Sequence, residues 1–213
     1  MRRGDCLRRS SSLDREGISR LRALIIDVDD TLVVTGIDWG RVRSRLREEL
    51  GVEIPEKPLA EKIRLRIKSS SKLTRALKII EEEEMLSAKA VRRDDELVAL
   101  LNELRGRRVR IAIVTLRSRA SAEEVLRCLG IYSLIDILVT REDSVSRAEQ
   151  LKMAVSALGV KNDEVVFLGD TEIDEGSARL LGIKYRGVSK GPNARGVPQD
   201  LKRFLKHLIH SYP

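Results

Sequence analysis

Aromatic side chains are scarce, 3% of 213 residues, which leaves few flat surfaces on which nucleic-acid bases stack. Cysteine is scarcer still: Cys6 lies in a polar tail and Cys128 in a helical pattern, and the pair supports neither a disulfide framework nor metal-ligand spacing. A reducing compartment is therefore expected. The only two histidines, His207 and His210, fall in the closing helix and read as surface or packing residues. No apolar run reaches the length of a signal peptide or a membrane span. The expectation is a soluble, cytoplasmic protein with no membrane partner.

What is present is apolar and charged at once, 42% hydrophobic and 35% Asp, Glu, Lys and Arg. That balance describes a folded chain with a heavily charged surface rather than a disordered one. The same charge fraction resembles proteins from hot habitats, where ion-pair networks become more favourable. Lysine and arginine outnumber acids 41 to 33, which favours acidic partners such as phosphate esters. The cations are scattered rather than blocked, so nucleic acid is an unlikely partner.

Along the chain, residues 1–19 form a basic, serine-rich extension without hydrophobic period. Leu21 to Ile26 is a short apolar run of the kind that becomes a buried parallel strand, and it stops at Asp27. Asp38 then caps a helix through Trp39, Val42, Leu46 and Leu50 that ends at Gly51, and Pro55 and Pro58 break the chain. Residues Leu59 to Ala90 carry a helical period with no strand alternation. Within them Glu81 to Glu84 reads as a solvated helix face, because consecutive helical residues cannot converge on one ion. From Asp94 onward helix and strand alternate, with strands expected at Val109–Val114, Ile135–Val139, Val165–Leu168 and Lys184–Val188. The fold class is therefore α/β: a doubly wound parallel sheet in residues 20–34 and 93–213, with a small inserted all-helical cap in 35–92.

Such sheets place ligands at the carboxyl ends of their strands. There the chain has Asp27-Val28-Asp29-Asp30-Thr31 after the first strand and Gly169-Asp170-Thr171-Glu172-Ile173-Asp174 after the fourth. Strand alternation puts Asp27 and Asp29 on one side. Carboxylates so close need a shared proton or a cation. Gly169 reads as a sharp turn, and Asp174 as a cap or a support for ligands. Thr115 ends the second strand with a hydroxyl able to donate to a phosphate oxygen.

Together these segments resemble the haloacid dehalogenase superfamily of phosphohydrolases, in the phosphoglycolate phosphatase-like branch with a helical cap, whose motifs are D-x-D-x-T and G-D-x-x-x-D. The resemblance implies Asp27 as nucleophile and Asp29 as the acid that protonates the departing alcohol and then activates water. It also implies Mg2+ at Asp27, Asp29 (through its backbone carbonyl) and Asp170, with Asp174 behind them. Thr115 is implied to hold the transferring phosphoryl group, helped by Arg117 and Ser118. The cation of the third motif is either Arg147, at the start of a helix capped by Ser146, or Lys152, about 7–8 Å deeper by helical rise. Position favours Arg147, residue type favours Lys152 with its flexible stem, and Arg147 is preferred slightly. The usual glycine of the first motif is replaced by Asp30, which bears on the turn toward the cap. Arg41, Arg43, Arg45, Arg64 and Arg66 are cap cations able to read a small phosphorylated metabolite.

Two rivals stand beside a Mg2+-dependent phosphatase. One is a phosphomutase that uses the same aspartyl phosphate. The other is an idle scaffold that binds nucleic acid or protein through its basic surface.

Overall fold

A computed structural model describes residues 20–53, 59–192 and 195–211. The basic extension and the Pro55–Pro58 break lie outside them. Five strands, β1 (Ala23–Asp27), β2 (Arg110–Val114), β3 (Ile137–Val139), β4 (Val165–Gly169) and β5 (Lys184–Gly187), form one sheet in the order β3-β2-β1-β4-β5. Every pairing is parallel, as the helix–strand alternation predicts. β3 begins at Ile137 instead of the expected Ile135, whereas β4 runs one residue past the expected Leu168 to Gly169.

Period-two alternation gives each strand two apolar faces. Leu24, Ile26, Ile111, Ile113, Val166 and Leu168 pack on one side, against α4 (Asp95–Gly106), α5 (Arg119–Leu129) and α8 (Gln199–Ser211). Ala23, Ile25, Ala112, Val114, Val165 and Phe167 pack on the other, against α6 (Arg147–Leu158) and α7 (Glu172–Leu180). Asp27 continues the register of Ala23 and Ile25, so the last carboxylate of β1 falls on the α6 side.

Three helices fill the segment between β1 and α4: α1 (Trp39–Leu50), α2 (Leu59–Arg66) and α3 (Ser70–Lys89). Val42, Leu46, Ile63, Ile67, Ala76, Ile79 and Ile80 give them an apolar cluster of their own. Asp38 caps α1 and Gly51 closes it in the left-handed conformation, as its sequence predicts. The long helix α3 belongs to two places: its first half packs in that cluster, whereas Ala88 near its end joins the sheet's core.

That double membership corrects the reading of Glu81 to Glu84. Glu83 and Glu84 are buried, Glu84 at 2% exposure, because α3 turns this stretch toward the strand ends. Arg141 Nη1 reaches Glu84 Oε1 at 2.5 Å, and the Ser118 N–H donates to Oε2 at 3.0 Å. The carboxylate is satisfied inside the protein instead of in water.

Candidate active site

The carboxyl ends of β1, β2 and β4, with α1 and α3 above them, enclose a chamber of about 260 Å³. Asp27, Asp29, Asp170, Asp174, Thr115 and Arg147 all line it. A larger open groove of about 1470 Å³ runs along β5 and contains none of these six.

Asp27 ends β1 as a buried side chain. The guanidinium of Arg147, at the first position of α6, donates to Asp27 Oδ1 at 2.6 Å and lies 2.8 Å from Asp174 Oδ1. Gln150 Oε1 accepts from Arg147 at 2.9 Å while Gln150 Nε2 donates to the carbonyls of Thr115 and Ser144, each at 2.8 Å. Gln150 thus locks the arginine to the end of β2. It is a site residue that the sequence reading passes over, although it lies beside Leu151 on the inward stripe of α6. Lys152 is exposed and pairs with Glu149 at 2.8 Å, away from the chamber.

Negative charge is in excess around this one arginine. Burial pushes the Asp27 carboxyl well above its ordinary range; Arg147 pulls it back, and Asp174, Asp29 and Asp170 push it up again. Asp170 is pushed up to about 6 by burial and by Asp174, against the hydrogen bond from Thr31 Oγ1 at 3.2 Å. Asp174 Oδ2 accepts from the Thr171 hydroxyl at 2.5 Å, so the two residues close the start of α7 as a capping box. Its Oδ1, close to Arg147 but out of line with it, has no aligned hydrogen bond.

Gly169 has a role other than a sharp turn. Its φ is not among the positive values; instead, an added Cβ would lie 2.7 Å from Asp174 Cβ. Only glycine lets the end of β4 and Asp174 approach so closely. Asp30, by contrast, takes the left-handed conformation at φ 62°, keeping the backbone shape that a glycine there would provide. Lys190 holds its carboxylate at 2.5 Å.

Asp29 and Asp27 share the chamber but not their partners, because β1 ends at Asp27 and the strand alternation goes no further. Arg117 Nε donates to both oxygens of Asp29, at 3.1 and 3.0 Å, and Arg117 Nη2 donates to Oδ1 at 2.8 Å. Burial lowers the Arg117 pKa, and the charges of Asp29, Glu84 and Asp27 more than restore it, so the guanidinium stays charged. The expectation that Arg117 and Ser118 help hold a phosphoryl group is therefore corrected: Arg117 grips a carboxylate, and the Ser118 side chain caps α5 by accepting from the Ser121 N–H. Of the cap arginines, Arg43 lines the chamber. Arg45 pairs with Glu49 and Glu82, Arg41 with Glu83, and Arg64 and Arg66 are exposed.

Hard oxygen donors with surplus negative charge suit a divalent cation. Among the described residues no three His, Cys, Asp or Glu side chains form a ready-made metal cage. Mg2+ needs no such cage, since it is commonly held by one or two carboxylates together with water and substrate phosphate. The unaligned Oδ1 of Asp174 and the raised carboxyls of Asp27 and Asp170 fit a cation supplied from outside the chain. No described helix is long and apolar enough to cross a membrane.

Comparisons with known proteins bear on the family and the fold of the chain. A phosphatase of validoxylamine A 7'-phosphate from Streptomyces hygroscopicus is 31% identical over 109 residues, 49% of this chain and 51% of that protein. The pyrophosphatase PpaX of Halalkalibacterium halodurans is 33% identical over 82 residues, 37% of this chain and 36% of that one. The chain thus spans about half or less of the length of these curated relatives. Among solved structures, a β-phosphoglucomutase from Clostridium difficile superposes with a TM-score of 0.67 at 15% identity, covering 89% of this chain and 97% of the other. A haloacid dehalogenase-like hydrolase from Streptococcus pneumoniae does so at 0.60 and 21%, covering 87% and 91%. At such identities these two show the fold alone. The family model described as haloacid dehalogenase-like hydrolase matches residues 24–188, from β1 past β5, and the chain belongs to that family.

Proposed function

We propose that the protein is a Mg2+-dependent phosphatase of small phosphate monoesters, acting through a phospho-aspartyl intermediate on Asp27. The observation that carries this reading is the contact between the buried Asp27 carboxylate and Arg147 at the chamber floor. It combines a nucleophile with the cation that a phosphate would need beside it. Of the two third-motif candidates, Arg147 is the phosphate-binding one and Lys152 a surface charge.

Mg2+ would be held by Asp27, Asp170 and the backbone carbonyl of Asp29, with Asp174 supporting them. When bound it would neutralise charge on the carboxylates and the phosphate, which a buried aspartate nucleophile requires. Asp27 attacks phosphorus and forms a P–O bond as the bond to the leaving oxygen breaks, and Asp29 gives its proton to that oxygen. Water then attacks the aspartyl phosphate, Asp29 takes the water's proton, and inorganic phosphate leaves. Thr115 and Arg147 hold the phosphoryl oxygens, and Gln150 holds Arg147.

We assign residues 35–92 as the cap and 20–34 with 93–213 as the catalytic core, the cap excluding water and selecting the leaving group. A cavity of about 260 Å³ lies below the usual range of drug-sized sites, which suits a small phosphorylated metabolite.

Phosphate release from a panel of small monoesters, with and without Mg2+, tests the proposal. Release should require Mg2+ and fall at least about 1,000-fold in Asp27→Asn. Transfer to a second hydroxyl of the substrate instead of to water would mark a phosphomutase. Binding to nucleic acid or protein with no turnover of any ester would mark an idle scaffold.

A further inference from the structure

Arg117 is 1% exposed, and a guanidinium taken so fully out of water must find partners for its five N–H donors. Its choice of partners is informative. Glu84 lies close enough to act on its charge, yet the Glu84 carboxylate goes to Arg141 and Ser118 and offers Arg117 only its backbone carbonyl, at 3.1 Å. The carboxylate that Arg117 does grip belongs to Asp29. The same guanidinium donates to Ser87 Oγ on α3 at 3.1 Å, to Ser121 Oγ on α5 at 2.8 Å and to Thr35 Oγ1 at 2.7 Å. Thr35 in turn donates to Asp29 Oδ1 at 2.8 Å.

The two oxygens of Asp29 are therefore unequal. Oδ1 accepts from Thr35 and twice from Arg117, whereas Oδ2 accepts once, from Arg117 Nε. Oδ2 is the less engaged of the two oxygens. Because the guanidinium also spans to the carbonyl of Glu84 and to Ser87, the direction in which Oδ2 points depends on where α3 sits.

We propose that Arg117 is a positioning residue for the acid–base step: together with Thr35 it holds Oδ1 of Asp29, leaves Oδ2 the less engaged oxygen, and references the carboxyl group to α3. The inference rests on the reading of Asp29 as acid and base. In that reading Asp29 gives its proton to the leaving oxygen as the P–O bond to the alcohol breaks, and Arg117 keeps the carboxyl group in place throughout. Arg117 touches neither phosphorus nor the leaving group in this scheme.

The test compares leaving groups that need a proton with one that does not. In Mg2+, kcat/KM is measured for the best alkyl phosphate of the panel and for 4-nitrophenyl phosphate, whose nitrophenolate departs unprotonated. In Arg117→Lys, kcat/KM should fall about 100-fold for the alkyl ester, the scale on which acid–base catalysis and its alignment act, and less than about 3-fold for the aryl ester. In an Asp29→Asn background, the same substitution should change the alkyl value less than about 3-fold, because a residue acting through Asp29 has nothing left to position. Thr35→Val keeps Arg117 and should give the same split at about 10-fold, which serves if the lysine variant does not fold. Equal losses on both esters, or an undiminished effect in the Asp29→Asn background, would overturn the proposal. A parent protein that turns over neither ester would instead remove the phosphatase reading, and the proposal with it. A parent active on the aryl ester alone would retain the phosphatase and overturn the acid–base role.

Discussion

Three arginines have nearly or fully buried guanidinium groups at the carboxyl end of the sheet, Arg147, Arg117 and Arg141, and they fall into two groups whose surroundings differ in charge. Arg147 stands among Asp27 and Asp174 with Asp170 nearby, one cation for three carboxylates. At the junction with α3, Arg117 and Arg141 meet Asp29 and Glu84, two cations for two carboxylates. The second group is balanced and densely hydrogen-bonded, so it holds elements together. The first is left short of positive charge: burial first, and neighbouring carboxylates after it, hold the Asp27 and Asp170 carboxyls above their ordinary range, whereas Glu84 in the second group is raised by burial but pulled back by two arginines. Unbalanced buried charge in a cleft is the arrangement expected where a ligand completes a site.

Removing one arginine from each group separates their roles. Arg147→Met should lower kcat/KM in saturating Mg2+ by about 100- to 1,000-fold, the scale of losing one transition-state donor. If turnover survives and only folding suffers, the floor is architecture as well. Arg141→Met should do the reverse. It leaves the Glu84 carboxylate buried without its partner, at a cost of about 3–5 kcal/mol in urea unfolding, while turnover per folded molecule changes little.

A subtler test uses pH in protein stripped of metal with a chelator. The Asp170 carboxyl titrates at about 6 in the folded protein against an ordinary 3.8. Between those values the folded state holds the proton longer than the unfolded state does, so this group's contribution to stability falls as pH rises from about 4 to about 6, and is flat above. Asp170→Asn removes that loss. Relative to the parent, the variant should gain about 2–4 °C in Tm across the window, the equivalent of about 1 kcal/mol after allowing for the carboxylate's contact with water. Excess Mg2+ should abolish the difference. The smallest effect belongs to Lys152→Ala, whose exposed pair with Glu149 is worth little; kcat/KM should stay within about 2-fold of the parent.

Much of the fold was legible in the sequence because local periods carried it. The alternation of Ala23, Ile25 against Leu24, Ile26 specifies a strand buried on both faces, and Asp38 with Gly51 marks both ends of a helix. The carboxylates of the site were legible too, since strand ends in a parallel sheet converge on one edge. Glu84 was misread because its neighbours in sequence are acids, although its neighbours on the helix, Ile80 and Ala88, are both buried. The helical spacing contained that signal. Its partner Arg141 and the pairing of Arg117 with Asp29 join residues 57 and 88 positions apart, and no local pattern encodes such meetings. Gly169 was noticed for its flexibility, whereas the structure uses its lack of a side chain, a fact visible only once Asp174 is seen beside it.

The double membership of α3 has a consequence for recombination. A chimera that replaced the whole of residues 35–92 with the corresponding segment of a relative would discard Thr35, Glu84, Ser87 and Ala88 along with the apolar cluster, depriving Arg141 of its carboxylate and Arg117 of three of its partners. The natural splice lies inside the helix, after Ile80 and before Glu83, where apolar packing above gives way to polar anchoring below. A transplant running from residue 36 to that cut would bring its own apolar packing and leave the contacts of Asp29 with Thr35 and Arg117 in place.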